Sequence, residues 1–351
     1  MNTSKINPGD NGHMLRLGQI GVGIWGSNLL RNFAAVRNAR VVACCDKDKG
    51  KLRDVQGLYP GMATTTRVQD LFEKHELDAI IIATPPSTHG KLAELSLKNR
   101  KHVFVEKPIA LKMKDALRIL RMAESSGLVL MVGHLLLYHP AVRLLKRIID
   151  QGELGKVLYM YSTRVNLGQV RLEENAMWSL APHDVSVAMY LLGQTPTEVM
   201  ARGEAYLQKG IEDVIFMSLK FGKRRFSNIH VSWLDPHKIR KFTIVGSRKM
   251  AVFDDMEPVD KVKIYDKGVE RTGEYNYQSF FTLRHGDVHI PKVKLREPLK
   301  LECQHFVDSV SGRRRPFTDG RNGVEVLSVL DAAERSLKLS GRAVKVRKVG
   351  R

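Results

Sequence analysis

Three short stretches of the chain hold residues whose types and spacing suit chemistry. The first, Gly21-Val22-Gly23-Ile24-Trp25-Gly26, has glycines at its first, third and sixth positions. In that spacing the first glycine permits a tight turn and the second lets an anionic ligand approach backbone N–H groups. The third allows a helix to pack closely on a strand. Asp46 follows twenty residues after Gly26, where a carboxylate can accept hydrogen bonds from ribose hydroxyls. Together they predict a dinucleotide site with its diphosphate at a helix N-terminus. A carboxylate at position 46 repels a 2′-phosphate, which favours NAD over NADP. The second stretch, Glu106-Lys107-Pro108, sets a carboxylate and an ammonium at the end of the apolar run Val103-Phe104-Val105. The third holds His183-Asp184 within "ENAMWSLAPHDVSVAMYLLG". An unperturbed imidazole titrates near neutral pH and an unperturbed lysine far above it. Either residue type can move a proton, and the residues alone leave open which would be a base.

These side chains need elements to aim them. In the first third of the chain, strands alternate with helices. "RLGQIGVG" (16–23), "RVVACCD" (40–46), "DAIIIATPP" (78–86), "KHVFVEK" (101–107) and "LVLMVGH" (128–134) read as strands. Segments 27–37, 91–99 and 115–126 read as helices. Near-continuous apolar strands separated by helices predict a doubly wound parallel sheet, buried on both faces. Ligands bind such sheets outside the carboxyl ends of the strands. Those ends carry the glycine loop, Asp46, Thr84-Pro85 with His89, Glu106-Lys107 and His134.

The character then changes. Helix 140–150 leads into a run of strands at 156–166, 197–206, 213–221, 225–234, 240–247, 249–255 and 261–266, interrupted by a helix read as 184–192. Short polar turns between consecutive strands predict a large, mostly antiparallel sheet. Residues 274–300 show no clear pattern, and helices are expected again at 298–311 and 322–339. The fold class is therefore α/β, with an N-terminal Rossmann-type doubly wound parallel sheet and a C-terminal part on a large, mostly antiparallel sheet. The expected division is a polar, disordered tail at 1–14, a dinucleotide-binding domain at 15–134, and a second domain at 135–351.

The totals exclude several classes. A chain of 351 residues with 43% hydrophobic and 27% charged residues can supply two ordinary cores. No apolar run approaches the ~18 residues that cross a bilayer. The first residues lack the apolar segment of a signal peptide, so a cytoplasmic protein without membrane insertion is expected. Three cysteines, Cys44, Cys45 and Cys303, fit neither a disulfide framework nor metal-ligand spacing, and read as reduced core thiols with no metal site. The net charge of +20 is spread in small clusters with no nucleic-acid motif beside them, so no specific nucleic-acid function is expected.

The glycine loop with Trp25, the Thr84-Pro85…His89 element, Glu106-Lys107-Pro108 and Gly152…Gly155 resemble the glucose–fructose oxidoreductase / inositol dehydrogenase family over nearly the whole chain from Leu15. The resemblance implies NAD(P), hydride transfer at a sugar or polyol carbon, and a homodimer or homotetramer, and it makes 135–351 a substrate-binding and oligomerisation α/β domain on a large open-faced sheet. It makes Lys107 and His183 the catalytic residues, and Gly21, Gly23, Ile24, Trp25, Gly26, Asp46, Thr84, Pro85, His89 and Glu106 the cofactor-binding ones. The family pattern has an aspartate four residues before the histidine. This chain has Ser179 there and Asp184 directly after, where an aspartate suits a helix cap. The stretches "LLLYHPAV", "RVNLGQVRLEENAMWSLAPHD" and "VSWLDPHKIRKFTIVGSRKMAVFDD" resemble the family's UDP-N-acetylglucosamine 3-dehydrogenase branch. That branch implies a UDP-sugar oxidised at its 3-hydroxyl and passed to an aminotransferase for a 3-amino sugar of lipopolysaccharide or another surface glycan. The corresponding uronate, or another sugar or inositol, is the alternative. Candidate substrate-binding residues are Tyr138, Arg164, Asn166, Arg171 and Asp184. Arginines there suit a diphosphate.

Overall fold

The structure, a computed structural model, describes residues 14–271 and 281–350. The polar stretch expected to be a tail therefore lies, but for Met14, outside the described residues. The chain forms two compact units: residues up to 133 together with 297–324, and residues 134–296 together with 325–351.

In the first unit, strands β1 (Leu15–Ile20), β2 (Ala39–Cys45), β3 (Ala63–Thr65), β4 (Ala79–Ile82), β5 (His102–Glu106) and β6 (Leu130–Gly133) form one parallel sheet in the order 3-2-1-4-5-6. The order reverses between β1 and β4, which makes the ends of those strands the switch point where such sheets bind ligands. Ile80, Ile81 and Ile82 are all fully buried, as a strand covered on both faces requires. Helices α1 (Ile24–Phe33), α2 (Lys49–Leu58), α3 (Val68–Glu73), α4 (Pro86–Lys98) and α5 (Met113–Ser126) make the crossovers. The helix expected from Ser27 begins three residues earlier, straight out of the glycine loop. Helix α2 was not expected. It buries only Leu52 and Val55, too few for a visible period, and is started by Asp48, whose side chain accepts from the Gly50 and Lys51 N–H groups.

The second unit holds α6 (Pro140–Asp150) and a nine-stranded sheet. Its strands are β7 (Val157–Val165), β8 (Glu198–Glu204), β9 (Val214–Phe221), β10 (Arg225–Ser232), β11 (Ile239–Gly246), β12 (Met250–Asp254), β13 (Val262–Arg271) and β14 (Phe281–His289), with a short last strand at Val344–Lys345. All pairings are antiparallel except β7 with β10. Strand β14 falls in the stretch that showed no pattern, and its residues are almost all exposed. One face of the sheet packs inward through Met160, Ala201, Met217, Ile229 and Ile244. The opposite face is aromatic and open. Tyr161 and Phe216 are exposed, and the Tyr159 ring stacks on that of Phe226 at 5.4 Å between centroids. Among the described residues no helix is long and apolar enough to cross a membrane.

Helix α7 (Ala176–Leu192) lies in the second unit, whereas α8 (Pro298–Ser311) belongs to the first; α9 (Gly320–Lys338) follows. The sequence gives no sign of the return by α8 and places the whole of 135–351 in one domain. Its physical cause is an aromatic cluster. Phe306 lies 6.0 Å from Phe33 of α1 and 5.7 Å from Phe104 of β5, all edge-on. Phe306 is fully buried, so Phe306→Ala is expected to cost about 3–5 kcal/mol of unfolding free energy, read by urea denaturation. A loss below about 1 kcal/mol would detach α8 from the first unit's core.

Candidate active site

In the first unit the glycine loop is built by three separate constraints. Gly21 has φ +92°, and a Cβ there would lie 2.4 Å from the Ala83 carbonyl oxygen. A Cβ at Gly26 would lie 2.3 Å from the Gly21 carbonyl oxygen. At Gly23 a Cβ would meet nothing within 4 Å, so the room above the start of α1 is open. Gln19, a buried amide in the middle of β1, holds the loop shut by donating to the carbonyls of Gly21 (2.9 Å) and Gly26 (2.7 Å). Asp46 follows β2, and its carboxylate accepts from the Val22 N–H at 2.8 Å and the Asp48 N–H at 3.0 Å. Each oxygen keeps a further lone pair for a hydroxyl. Ile24 and Trp25 stand exposed beyond the loop.

The ends of β4 and β5 are tied together by His89. Its Nδ1 lies 2.7 Å from the Pro108 carbonyl oxygen and its Nε2 2.8 Å from that of Thr84. Expected as a cofactor contact, His89 is buried and occupied on both nitrogens by backbone. Burial draws its pKa down, and the two carbonyls pull the other way more weakly. The Thr84 hydroxyl meets that of Thr88 at 2.6 Å, and Pro85 opens α4.

Glu106 answers for the position of Lys107. Its carboxylate accepts the Trp25 indole N–H at 2.5 Å through Oε1 and the Lys107 backbone N–H at 3.2 Å through Oε2. A Cβ on Gly133, the last residue of the neighbouring β6, would lie 2.9 Å from Glu106 Oε1, so a larger residue there would push the carboxylate from its place. Lys107 is half-buried, and its peptide bond to Pro108 is cis. On α8, Glu302 is fully buried with no hydrogen-bond partner for either carboxyl oxygen among the described residues. Burial pushes the Glu106 carboxyl up from its ordinary 4.5 to about 7, opposed by Trp25 and Lys107. Burial and Glu106 together raise Glu302 well above the carboxylate range.

In the second unit α7 corrects the expected helix start. Asn175, not Asp184, is the N-cap: its side chain accepts from the Trp178 N–H at 3.2 Å. Pro182 stands inside the helix, and the helix is apolar nearly all round, as a buried helix is. His183 therefore lies mid-helix, half-buried, with Ser179 one turn before it on the same face. Asp184 is buried and pairs with the buried Arg164 of β7, Nε to Oδ2 at 2.5 Å. These two, expected to contact substrate, hold helix to sheet. Tyr138 is buried in a short 3₁₀ turn under the Arg143 guanidinium. Arg171 is exposed, 3.8 Å from Glu174, and Asn166 is half-buried just after β7. Trp233 is core, and Asp235 accepts from the His237 N–H in a turn.

Comparison with known proteins decides the class. Residues 15–134 match the model of an oxidoreductase family with an NAD-binding Rossmann fold, named GFO/IDH/MocA, and residues 142–252 match the C-terminal domain of the same family. The chain belongs to the Gfo/Idh/MocA family. It is 24% identical to a myo-inositol 2-dehydrogenase of Thermotoga maritima over 95% of the chain and 99% of that protein. It is 27% identical to a UDP-N-acetylglucosamine 3-dehydrogenase of Acidithiobacillus ferrooxidans over 90% and 94%. A solved structure of the latter enzyme superposes with a TM-score of 0.79 at 23% identity, covering 93% of this chain and 98% of that one. An oxidoreductase of Agrobacterium radiobacter, in complex with NAD+, L-tartaric acid and magnesium, superposes with a TM-score of 0.78 at 19% identity, covering 95% and 98%.

As a Gfo/Idh/MocA oxidoreductase the chain uses NAD, and the first unit fits it. The space that a Cβ at Gly23 would fill suits a diphosphate over a helix N-terminus, and Asp46 is fixed with hydroxyl-accepting capacity to spare. Three residues of this arrangement escaped the sequence reading. Gln19 had a signal, a lone amide inside an apolar strand. Gly133 and Glu302 had none, because only the folded packing shows that each faces Glu106 or its surroundings.

Gly23→Ala is expected to leave the thermal midpoint of the cofactor-free protein unchanged within about 2 °C and to weaken NAD at least 10-fold by calorimetric titration. Undiminished NAD binding would remove the cradle. Glu106 is more readily protonated folded than unfolded, so its contribution to stability is complete below about pH 4.5 and is lost as pH rises through about 7. The stability of the cofactor-free protein relative to Glu106→Gln should therefore fall by about 3 kcal/mol between pH 4.5 and 8, measured by urea unfolding. A flat difference would show that the carboxyl titrates normally.

Proposed function

We propose that the protein oxidises a secondary hydroxyl of a nucleotide sugar, the 3-hydroxyl of UDP-N-acetylglucosamine, with NAD. The observation that carries the oxidoreductase part is the Glu106 clamp. One carboxylate bonds both Trp25 of the dinucleotide loop and the backbone of Lys107, which fixes the Lys107 backbone beside the dinucleotide loop. The nucleotide-sugar part is supported by the 27% identity over nine-tenths of the chain to an enzyme named for that substrate. Inositol dehydrogenases at 24% and 26% identity cover as much of the chain, so a polyol is the second reading. The corresponding uronate is a third substrate for the same chemistry.

Gly21, Gly23, Gly26 and Asp46 hold NAD, with Ile24, Trp25, Thr84 and Pro85 around it. Bound NAD supplies a hydride acceptor. Lys107 and His183 serve the proton of the hydroxyl being oxidised, one as base and the other orienting the oxygen. Glu106 acts through Lys107, and His89 keeps the two strand ends in register. The product is a 3-keto nucleotide sugar, which an aminotransferase converts to a 3-amino sugar for a surface glycan. The open aromatic face of the second unit's sheet is assigned to a second copy of the chain, in a cytoplasmic dimer or tetramer.

NADH formation is to be measured with UDP-N-acetylglucosamine, its uronate and myo-inositol, with mass detection of a product lighter by two hydrogens. Turnover is expected on the first and little on inositol; the reverse order would establish the polyol reading. Lys107→Ala should bind NAD within about 3-fold of wild type and lose roughly 10²–10⁴-fold in kcat. Retained turnover would end the assignment of Lys107.

A further inference from the structure

Arg240 of β11 stands directly opposite Arg164 of β7 in the antiparallel register. The two lie on the sheet face that also carries Met160, Phe242 and Ile244, all buried. Like charges set directly opposite destabilise a sheet. Arg164 is compensated by Asp184. Arg240 has no ion pair and no side-chain hydrogen bond among the described residues, although it is half withdrawn from water. The remaining charged groups around it are already engaged. Asp255, just after β12, lies 3.6 Å from His139 Nε2 and 3.9 Å from Lys261 Nζ. Three cations, Arg164, Arg240 and Lys261, thus share two carboxylates, Asp184 and Asp255. Burial and the Arg164 guanidinium draw the pKa of Arg240 down against the weaker pull of Asp255 and Asp184, yet a guanidinium stays charged at neutral pH.

A planar fork of donors that Asp255 and Asp184 influence but do not bond among the described residues, on a unit whose helix carries His183 next to Asp184, is an incomplete ion pair. We infer that Arg240 binds an oxyanion of the substrate, a phosphate or a carboxylate, and so selects anionic sugars over neutral polyols. This rests on the reading of the second unit as the substrate-binding half. The fork matches either oxyanion bidentately, and the ligand's charge offsets the repulsion that the empty site carries. In a nucleotide sugar the oxyanion is the diphosphate; in a uronate it is the sugar carboxylate.

The test is calorimetric titration of the full chain, saturated with NAD, with UDP, inorganic pyrophosphate and glucuronate, in wild type and Arg240→Gln. Urea unfolding of both is run alongside. Wild type is expected to bind at least one of the three. Arg240→Gln should weaken that binding about 30-fold or more while its stability is unchanged or higher, because a repelling charge has gone. Loss confined to UDP and pyrophosphate identifies the diphosphate, and loss on glucuronate identifies the carboxylate. The inference is overturned if wild type binds none of the three or if the variant binds them equally well. It is also overturned if the variant unfolds at a lower urea midpoint without selective loss of binding, which would make Arg240 structural. Binding is read without turnover. A protein that binds oxyanions through Arg240 but fails to oxidise UDP-N-acetylglucosamine would overturn the substrate assignment alone.

Discussion

The first unit depends on a carboxylate buried where a carboxylate is costly. Glu106 ends a core strand at 8% exposure, and withdrawing an ionised group from water is unfavourable unless it is bonded. The structure bonds it twice, to the Trp25 indole and the Lys107 backbone, and clears room for it with a glycine on the adjacent strand. Each of these fixes something else. Trp25 belongs to the helix that starts at the glycine loop. Lys107 precedes the proline whose carbonyl meets His89, and the other nitrogen of His89 meets the end of β4. The glycine loop, the β4 end and the β5 end are therefore one hydrogen-bonded body, which holds the lysine by its backbone.

Much of this was legible in the sequence, for physical reasons. A parallel strand buried on both faces must be apolar along its length, so β4 and β5 announce themselves. A glycine loop has conformational demands that few residues meet, and those demands are visible as spacing. The large antiparallel sheet was visible because one face is core and alternation follows. What stayed hidden lacks any such period. Helix α2 buries two residues, β3 has three, and β14 is exposed along nearly its whole length. The return of α8 to the first unit is a tertiary choice. Its aromatic Phe306 would have suited either core, and only the pocket between Phe33 and Phe104 decides it.

The site was legible where chemistry is written into residue type, and illegible where burial reassigns a charge. Glu106-Lys107-Pro108 stands out because charges rarely end a core strand. Arg164 and Asp184 look like ligands for a phosphate and a helix end, yet they sit opposite each other across a helix–sheet interface and neutralise one another. Pro182 hid the true start of α7, since a proline reads as a helix boundary. It is tolerated here because Asn175 caps the helix well upstream and the buried faces of Met177, Val185 and Met189 keep it packed.

That reassignment bears on the histidine. The family resemblance implies an aspartate one helical turn before the imidazole, on its own face. Here Ser179 holds that place, and the aspartate that follows His183 points elsewhere, because adjacent helical positions diverge by about 100°. Its partner Arg164 confirms the direction: Asp184 faces the sheet. Asp184 thus cannot replace the missing carboxylate beside His183, and its charge goes instead to offsetting one of two arginines that face each other across β7 and β11. One aspartate cannot balance both. Moving the carboxylate by one residue's worth of rotation from the histidine's face therefore has two consequences at once. It puts a hydroxyl one helical turn before the imidazole, and it leaves Arg164, not Arg240, as the arginine that Asp184 bonds.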